Sequence, residues 1–368
     1  MANSIFYYIC RVKYQHIQIS FPMKKTILVT GGTGFIGSHT TVELQNAGYD
    51  VVVVDNLSNS KADVLDGIEQ ITGIRPSFEE VDCCDLPKME AVFQKYHGIS
   101  GIIHFAASKA VGESVEKPLK YYENNIMSLI NVLKLMPKYN VKGLIFSSSC
   151  TVYGQPAPEN LPVTEEAPIQ KAESPYGNTK QINEEIIEDY AKSGVSFNAI
   201  LLRYFNPIGS HPSALIGEMP NGVPANLIPY ITQTAIGIRP CLSVFGDDYD
   251  TPDGSCIRDF IYVVDLAKAH VAAMARILED KNTEPVEIYN VGTGHGVSVF
   301  ELINTFEKCT GVKLNYKIAP RRPGDIEKVW GNVDKANKVL GWKAEHTLEE
   351  ALSSAWNWQK KLRERGIM

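Results

Sequence analysis

The run Gly31-Gly32-Thr33-Gly34-Phe35-Ile36-Gly37 follows the apolar stretch Ile27-Leu28-Val29 across one threonine, and few folds admit that junction. It reads as a strand, a tight turn and the start of a helix. Gly31 permits the turn, Gly34 lets backbone approach a pyrophosphate without a Cβ in the way, and Gly37 lets the helix lie close to the strand. The helix N-terminus adds amide donors and a positive dipole for phosphate. Eighteen residues beyond Gly37, the apolar strand Val51-Val52-Val53-Val54 ends at Asp55. A carboxylate there suits the two ribose hydroxyls of NAD and repels the 2′-phosphate of NADP. Lys61 downstream softens that preference without reversing it. A glycine-rich turn in an ordinary α/β domain would leave the strand, the spacing and the acidic residue as coincidences.

With 368 residues the chain has room for about two domains. Its 36 basic and 42 acidic residues give a net charge of −6, with no long run of either sign, which argues against a nucleic-acid surface or a membrane-binding face. An anionic ligand must therefore be held by a few placed cations. Seven scattered cysteines form no C-x-x-C pair and no metal-ligand spacing, so reduced thiols, a cytoplasmic location and no metal are expected. No apolar run approaches a transmembrane length. Residues 1–22 are expected to be an extension ahead of a natural start at Met23-Lys24-Lys25.

Strand and helix patterns alternate from residue 26 to about 202, as in a doubly wound parallel sheet. Strands are expected at 26–30, 51–54, 77–81, 101–104, 144–147 and 197–202, with helices at 38–46, 86–96 and 119–139. Beyond Asn206 the texture changes: Pro207, Pro212, Pro220, Pro224 and Pro229 mark a loop-rich region that cannot extend the sheet. A helix at 263–275 and a strand at 288–291 resume the earlier pattern, and helices follow at 297–309, 334–340 and 348–363. The expected architecture is α/β, a Rossmann sheet with a smaller C-terminal α/β substrate lobe. Residues 23–205 and 257–292 would form the NAD-binding domain, and 206–256 with 293–360 the lobe.

Ser174-Pro175-Tyr176-Gly177-Asn178-Thr179-Lys180 is the second strong signal. Ser174 as N-cap and Pro175 at the first helical position start a helix, so Tyr176 and Lys180 share one face. A free phenol, with a pKa of about 10, is a poor base at neutral pH. A nearby ammonium and a positive nicotinamide ring are expected to draw that value down. Ser147-Ser148-Ser149 closes the fifth strand at its carboxyl end, and Ser149 can hydrogen-bond the same substrate hydroxyl as Tyr176. A lone Tyr-x-x-x-Lys is more often a solvated face; joined to the glycine turn and the strand-end serine it reads as a catalytic site.

These motifs resemble the extended short-chain dehydrogenase/reductase family. Further stretches narrow the resemblance to its UDP-galactose 4-epimerases: Asp55-Asn56-Leu57, His104-Phe105-Ala106-Ala107, Lys109-Ala110-Val111-Gly112-Glu113-Ser114, Arg203-Tyr204-Phe205-Asn206-Pro207, Arg258-Asp259-Phe260-Ile261 and Pro320-Arg321-Arg322-Pro323-Gly324-Asp325. It runs from Met23 to about Trp358. It implies reversible inversion at sugar carbon 4 of UDP-galactose and UDP-glucose, in galactose metabolism. Tyr176 would take the 4-hydroxyl proton while hydride passes to tightly held NAD, and the 4-keto sugar would rotate before hydride returns to its other face.

The resemblance implies cofactor contacts at Gly31, Gly34, Phe35, Ile36, Gly37, Asp55, Asn56, Asn59, Asp82, Cys83, Phe105, Ala106, Lys109, Asn124, Tyr176, Lys180 and Tyr204. Substrate contacts would come from Ser149, Tyr176, Asn206, Asn226, Leu227, Phe245, Arg258, Arg322 and Asp325, the two arginines pairing with the diphosphate. Val329 would border sugar carbon 2, where a short side chain leaves room for an N-acetyl group and admits UDP-N-acetylhexosamines. His104 and Tyr153 are read as structural. Helices at 121–139 and 181–190 match the family's homodimer face, although such an apolar stripe equally suits packing on the sheet. Two other readings stay open: a 4,6-dehydratase or decarboxylase, disfavoured because Ser149-Cys150-Thr151 lacks a carboxylate, and a non-catalytic NAD-binding regulator, which would typically have lost the tyrosine or the lysine.

Overall fold

A computed structural model describes residues 24–322 and 325–367; the expected extension over 1–22 lies outside them. The first half runs Thr26–Thr30 (β1), Phe35–Asn46 (α1), Asp50–Asp55 (β2), Val64–Thr72 (α2), Ser77–Glu80 (β3), Leu86–Lys95 (α3), Ile99–His104 (β4), Val111–Glu116 (α4), Pro118–Lys138 (α5), Gly143–Ser147 (β5), Pro175–Lys192 (α6) and Asn198–Tyr204 (β6). The second runs Asn206–Ile208 (β7), Leu227–Ala235 (α7), Leu242–Phe245 (β8), Ile257–Arg258 (β9), Phe260–Tyr262 (β10), Val263–Leu278 (α8), Val286–Val291 (β11), Val297–Ser298 (β12), Val299–Thr310 (α9), Tyr316–Ala319 (β13), Lys328–Val329 (β14) and Leu348–Glu364 (α10).

Seven strands pair in the order β11-β6-β5-β4-β1-β2-β3, every neighbour parallel. Strand residues alternate between two buried clusters. Ile27, Val29, Val51, Val53, Ile103, Ile145 and Ile200 enter one; Leu28, Val52, Val54, Ile102, Leu144 and Phe146 enter the other. A sheet buried on both faces reads as continuous apolar sequence, as these strands do. The strand order reverses between β1 and β4, and ligands of such sheets bind outside the carboxyl ends at that point.

The glycine turn sits there. Gly31 has φ +69°, and a Cβ on it would lie 2.8 Å from the Ala106 nitrogen beyond β4. A Cβ on Gly37 would meet the Gly31 oxygen at 2.3 Å. A Cβ on Gly34 would meet only the Gly31 oxygen, at 3.2 Å, within 4 Å. The turn therefore falls to Gly31 and the close packing to Gly37, as expected, and Gly34 is the least crowded of the three.

Three small sheets, β7–β10, β12-β9-β14 and β8–β13, accompany a third core around Ile231, Val244, Phe260, Leu302, Phe306 and Leu352. The proline-marked region is more ordered than expected. Pro207 lies in β7, and Pro229 lies in the first turn of α7, where its missing N–H removes no helical bond. The helix expected from residue 297 starts at Val299, because Ser298 caps it in a reciprocal box with Glu301 and Val297 pairs with Arg258. Helix α2 was not foreseen.

Gly37→Ala is expected to cost roughly 1–3 kcal/mol, the usual range for forcing atoms into a packed site. Urea unfolding measures it, and a variant as stable as the parent would contradict the close packing of α1 on the turn.

Candidate functional site

The cofactor half is built at the ends of β1, β2 and β4. Helix α1 is capped by Gly34, which has no side chain to satisfy the first-turn amides, and no acidic residue occupies that turn. Donors therefore remain for phosphate oxygens. Asp55, at the end of β2, accepts from Thr33 N at 3.2 Å, Leu57 N at 3.0 Å and Ser60 Oγ at 3.3 Å. A carboxylate offers about four lone-pair sites, so this one is oriented yet keeps acceptor capacity. These residues fit a dinucleotide.

Around them, Phe35 and Ile36 form the half-buried first turn of α1, Asn59 is exposed, and Asn56 donates to Asp82 at 3.1 Å. Cys83 can present only backbone, because its thiol is buried in the core and burial pushes its pKa up. Phe105 packs on the His270 ring at 4.7 Å between centroids, and the Asn124 side chain donates to Asn125 at 3.0 Å.

The expected chemical groups meet at the ends of β5 and β6. Ser174 accepts from Gly177 N at 3.2 Å and Pro175 opens α6, as the sequence indicates. Tyr176 and Lys180 are both buried. Lys180 Nζ donates to the Ser147 carbonyl at 2.6 Å and lies 4.9 Å over the Phe146 ring and 5.9 Å from the Tyr176 ring centre. The Ser149 side chain lies beside the Tyr176 phenol and favours its ionised form, and its hydroxyl accepts from Thr151 N at 3.2 Å. The Tyr204 and Ser147 hydroxyls are 2.5 Å apart, so Tyr204 spends its hydroxyl on support.

One expectation needs correction. In the polypeptide alone the Tyr176 phenol is not drawn down: burial pushes it up, the nearby Tyr204 adds to this, and Ser149 only partly offsets it. Burial acts on the cation too and lowers Lys180 to about 8, against a smaller opposing pull from Glu184. Desolvation disfavours charge on both partners, and helical spacing gives proximity without giving depth.

The substrate residues are gathered less tightly. Phe245 is 36% exposed and the Arg322 guanidinium sits 4.5 Å from its ring centre. Arg322 forks onto Asp325 at 2.9 and 3.2 Å, so these two pair with each other here. Arg258 donates to the Ile257 carbonyl at 2.8 Å and pairs in register with Val329. Val329 is 2% exposed, in a cluster with Cys150, Tyr153 and Phe205. Asn206 lies in β7, Asn226 caps α7 and Leu227 begins it.

Lys109, expected on cofactor phosphate, pairs in the polypeptide alone with Glu218 at 3.3 Å, and Asn226 donates to the same Glu218 oxygen at 2.5 Å. Sequence reasoning missed Glu218, and nothing in its local pattern distinguishes it. It also passed over Glu184, although its place one turn beyond Lys180 was a usable signal. His104, buried and bonded to Thr30 at 2.8 Å, and Tyr153, bonded to Asn290 at 2.7 Å, have structural settings.

The model of the NAD dependent epimerase/dehydratase family matches residues 27–292. UDP-glucose 4-epimerase 2 of Arabidopsis thaliana is 50% identical over 339 residues, covering 91% of this chain and 95% of that protein. The Bifidobacterium longum UDP-glucose 4-epimerase structure, a complex with NAD+ and UDP, is 51% identical with TM-score 0.87, over 92% of this chain and 98% of that one. The Stenotrophomonas maltophila UDP-glucose-4-epimerase, with bound NAD and formylated UDP-arabinopyranose, is 46% identical with TM-score 0.88, over 93% and 99%.

The Lys180 value carries a stability consequence. Its folded pKa, about 8, lies below the ordinary 10.5, so the folded state releases this proton first. Between those values the unfolded state binds more protons and stability rises with pH. The parent should gain on Lys180→Met by on the order of 3 kcal/mol across that window. Urea unfolding on either side of it measures the change, and a parent that loses ground would show that the buried ammonium carries no penalty.

Proposed function

Since the chain belongs to the NAD dependent epimerase/dehydratase family, we propose that it interconverts UDP-galactose and UDP-glucose by inverting sugar carbon 4, with NAD as its cofactor. The observation that carries this reading is the meeting of Ser149, Tyr176 and Lys180 beside the glycine turn at the reversal of strand order. NAD, when bound, supplies reversible oxidation at carbon 4. Tyr176, ionised, takes the proton of the 4-hydroxyl and later returns it. Ser149, beside that phenol, orients the hydroxyl being deprotonated. Lys180, anchored on the Ser147 carbonyl, places its ammonium beneath the phenol, where it opposes the penalty of burial. The nucleotide end falls to Phe245, Arg258, Arg322 and Asp325, whose arginines can hold the diphosphate while the sugar turns.

Elimination fits less well. The residue after Ser149 is Cys150, whose thiol burial pushes up to about 12, which leaves it no ready acid or base at neutral pH. A regulator without catalysis would have no use for the buried Tyr176–Lys180 pair. We place the reaction in galactose metabolism in the cytoplasm, consistent with six free cysteines among the described residues and with no helix there long and apolar enough to cross a membrane. We extend the reading to a homodimer through α5 and α6, on which Tyr122, Ile126, Ile130 and Ile182 are half-buried and Met127 is exposed.

Tyr176→Phe should lower kcat roughly 100- to 10,000-fold, the reach of general-base catalysis, while the protein folds and keeps its NAD. Coupled assay of UDP-glucose formed from UDP-galactose measures this; near-normal turnover removes Tyr176 from the role, and loss of water from the sugar would favour the dehydratase reading. UDP-N-acetylhexosamines should also turn over, because a valine taken up wholly beside Cys150 and Phe205 presents no ring to the sugar. Val329→Tyr should then lose UDP-N-acetylglucosamine selectively, by roughly 10- to 200-fold. A parent inactive on the acetylated sugar overturns that extension alone.

A further inference from the structure

The reaction proposed above uses Ser149, Tyr176 and Lys180 but not the charges buried behind them. Glu184 lies one turn beyond Lys180 on α6. Its carboxylate faces Arg203 of β6, with side chains only 7% and 5% exposed. The guanidinium grips it through Nη2 at 2.6 Å and through Nε at 3.0 and 3.2 Å. An ion pair this dry is a weak source of stability compared with apolar side chains of the same volume, because both charges have left water.

A third partner gives it a use. The Ser148 hydroxyl donates to Glu184 Oε1. Ser148 is the middle of three serines whose outer members meet the reacting pair: the Ser147 carbonyl accepts from Lys180, and the Ser149 side chain lies beside the Tyr176 phenol. Arg203 is held in turn by the Tyr153 hydroxyl at 3.1 Å, which donates to Asn290 of β11 at 2.7 Å. One carboxylate thus ties the end of β5 to α6, with β6 and β11 behind it.

We propose that Glu184 is a positioning residue for the Tyr176–Lys180 pair, acting through Ser148 to hold the end of β5 in place against α6. The proposal rests on the reading of that pair as the proton-handling group of the site. Glu184 also favours the charged form of Lys180, against burial. The other titratable groups facing Lys180 are Tyr176 on α6 and His104 on β4, and Tyr204 on β6 bonds the hydroxyl of Ser147, whose carbonyl holds the ammonium. Burial holds His104 down to about 3 and pushes Tyr204 up to about 12, so both are neutral near pH 7. Glu184 is the anion among them.

Two variants of the NAD-loaded full chain test this. Ser148→Ala removes one hydroxyl and leaves the Arg203–Glu184 pair intact, so it keeps the test valid if the harsher Glu184→Gln does not fold. The first readout is independent of turnover: NMR titration of the Lys180 ammonium in protein carrying isotope-labelled lysine, assigned by Lys180→Met. Taking an anion from beside an ammonium lowers its pKa, so the midpoint should fall by about one pH unit in Glu184→Gln; in Ser148→Ala the anion stays, and the midpoint should fall by roughly a few tenths because a loosened Ser147 carbonyl holds the ammonium less well. The second readout is kinetic. In both variants kcat should fall about tenfold with KM for UDP-galactose within about twofold, and the alkaline limb of the kcat–pH profile should move down with the Lys180 midpoint. The proposal is overturned if Lys180 titrates as in the parent, or if kcat falls only in proportion to folded protein. A parent that never converts UDP-galactose overturns the proposed activity instead, and the Lys180 titration still decides the positioning role.

Discussion

Exclusion of water from Tyr176 and Lys180 governs the site. In water a phenol and an ammonium four residues apart on a helix would hardly influence each other's ionisation. Buried, each resists carrying charge: the phenol moves up, and the ammonium comes down to about 8. The same low-polarity surroundings strengthen every remaining interaction, so the Ser149 hydroxyl or a carboxylate one turn away acquires leverage over protonation.

That leverage requires fixed geometry, and the fold supplies it with neighbouring residues used for different ends. Ser147 offers its carbonyl to Lys180 and its hydroxyl to Tyr204; Ser148 reaches Glu184; Ser149 reaches Tyr176. Three consecutive serines can do this because the chain leaves the sheet at Ser147, where the alternation of a strand no longer dictates which way side chains point.

The sheet was legible in the sequence because its strands are buried on both faces and are separated by helices with clear start signals. Ser174-Pro175 fixed the start of α6 and so placed Tyr176 and Lys180 on one face. Depth was not legible: the spacing that predicts a shared face is the same on a solvated helix, so the upward push of burial on the phenol was not foreseen. Pro229 misled because a proline is neutral in the first turn of a helix and disruptive only later. The Arg322–Asp325 pairing lies three residues apart and was within reach of pattern reading. The Glu218 link to Lys109 and Asn226 spans segments that only the tertiary fold brings together.

The position of β11 bears on how such a chain is made. It is the outer strand beside β6, yet residues 205–285 lie between them in sequence. A nascent chain that has emerged through β6 already carries the three serines, Tyr176 and Lys180, but its sheet ends on the unpaired amides and carbonyls of β6. An open edge of apolar residues is a template for pairing with other chains. Until Val286–Val291 leaves the ribosome, that edge has to be shielded by the intervening segment or by a chaperone. Aggregation during synthesis would therefore concentrate while residues 205–285 are emerging.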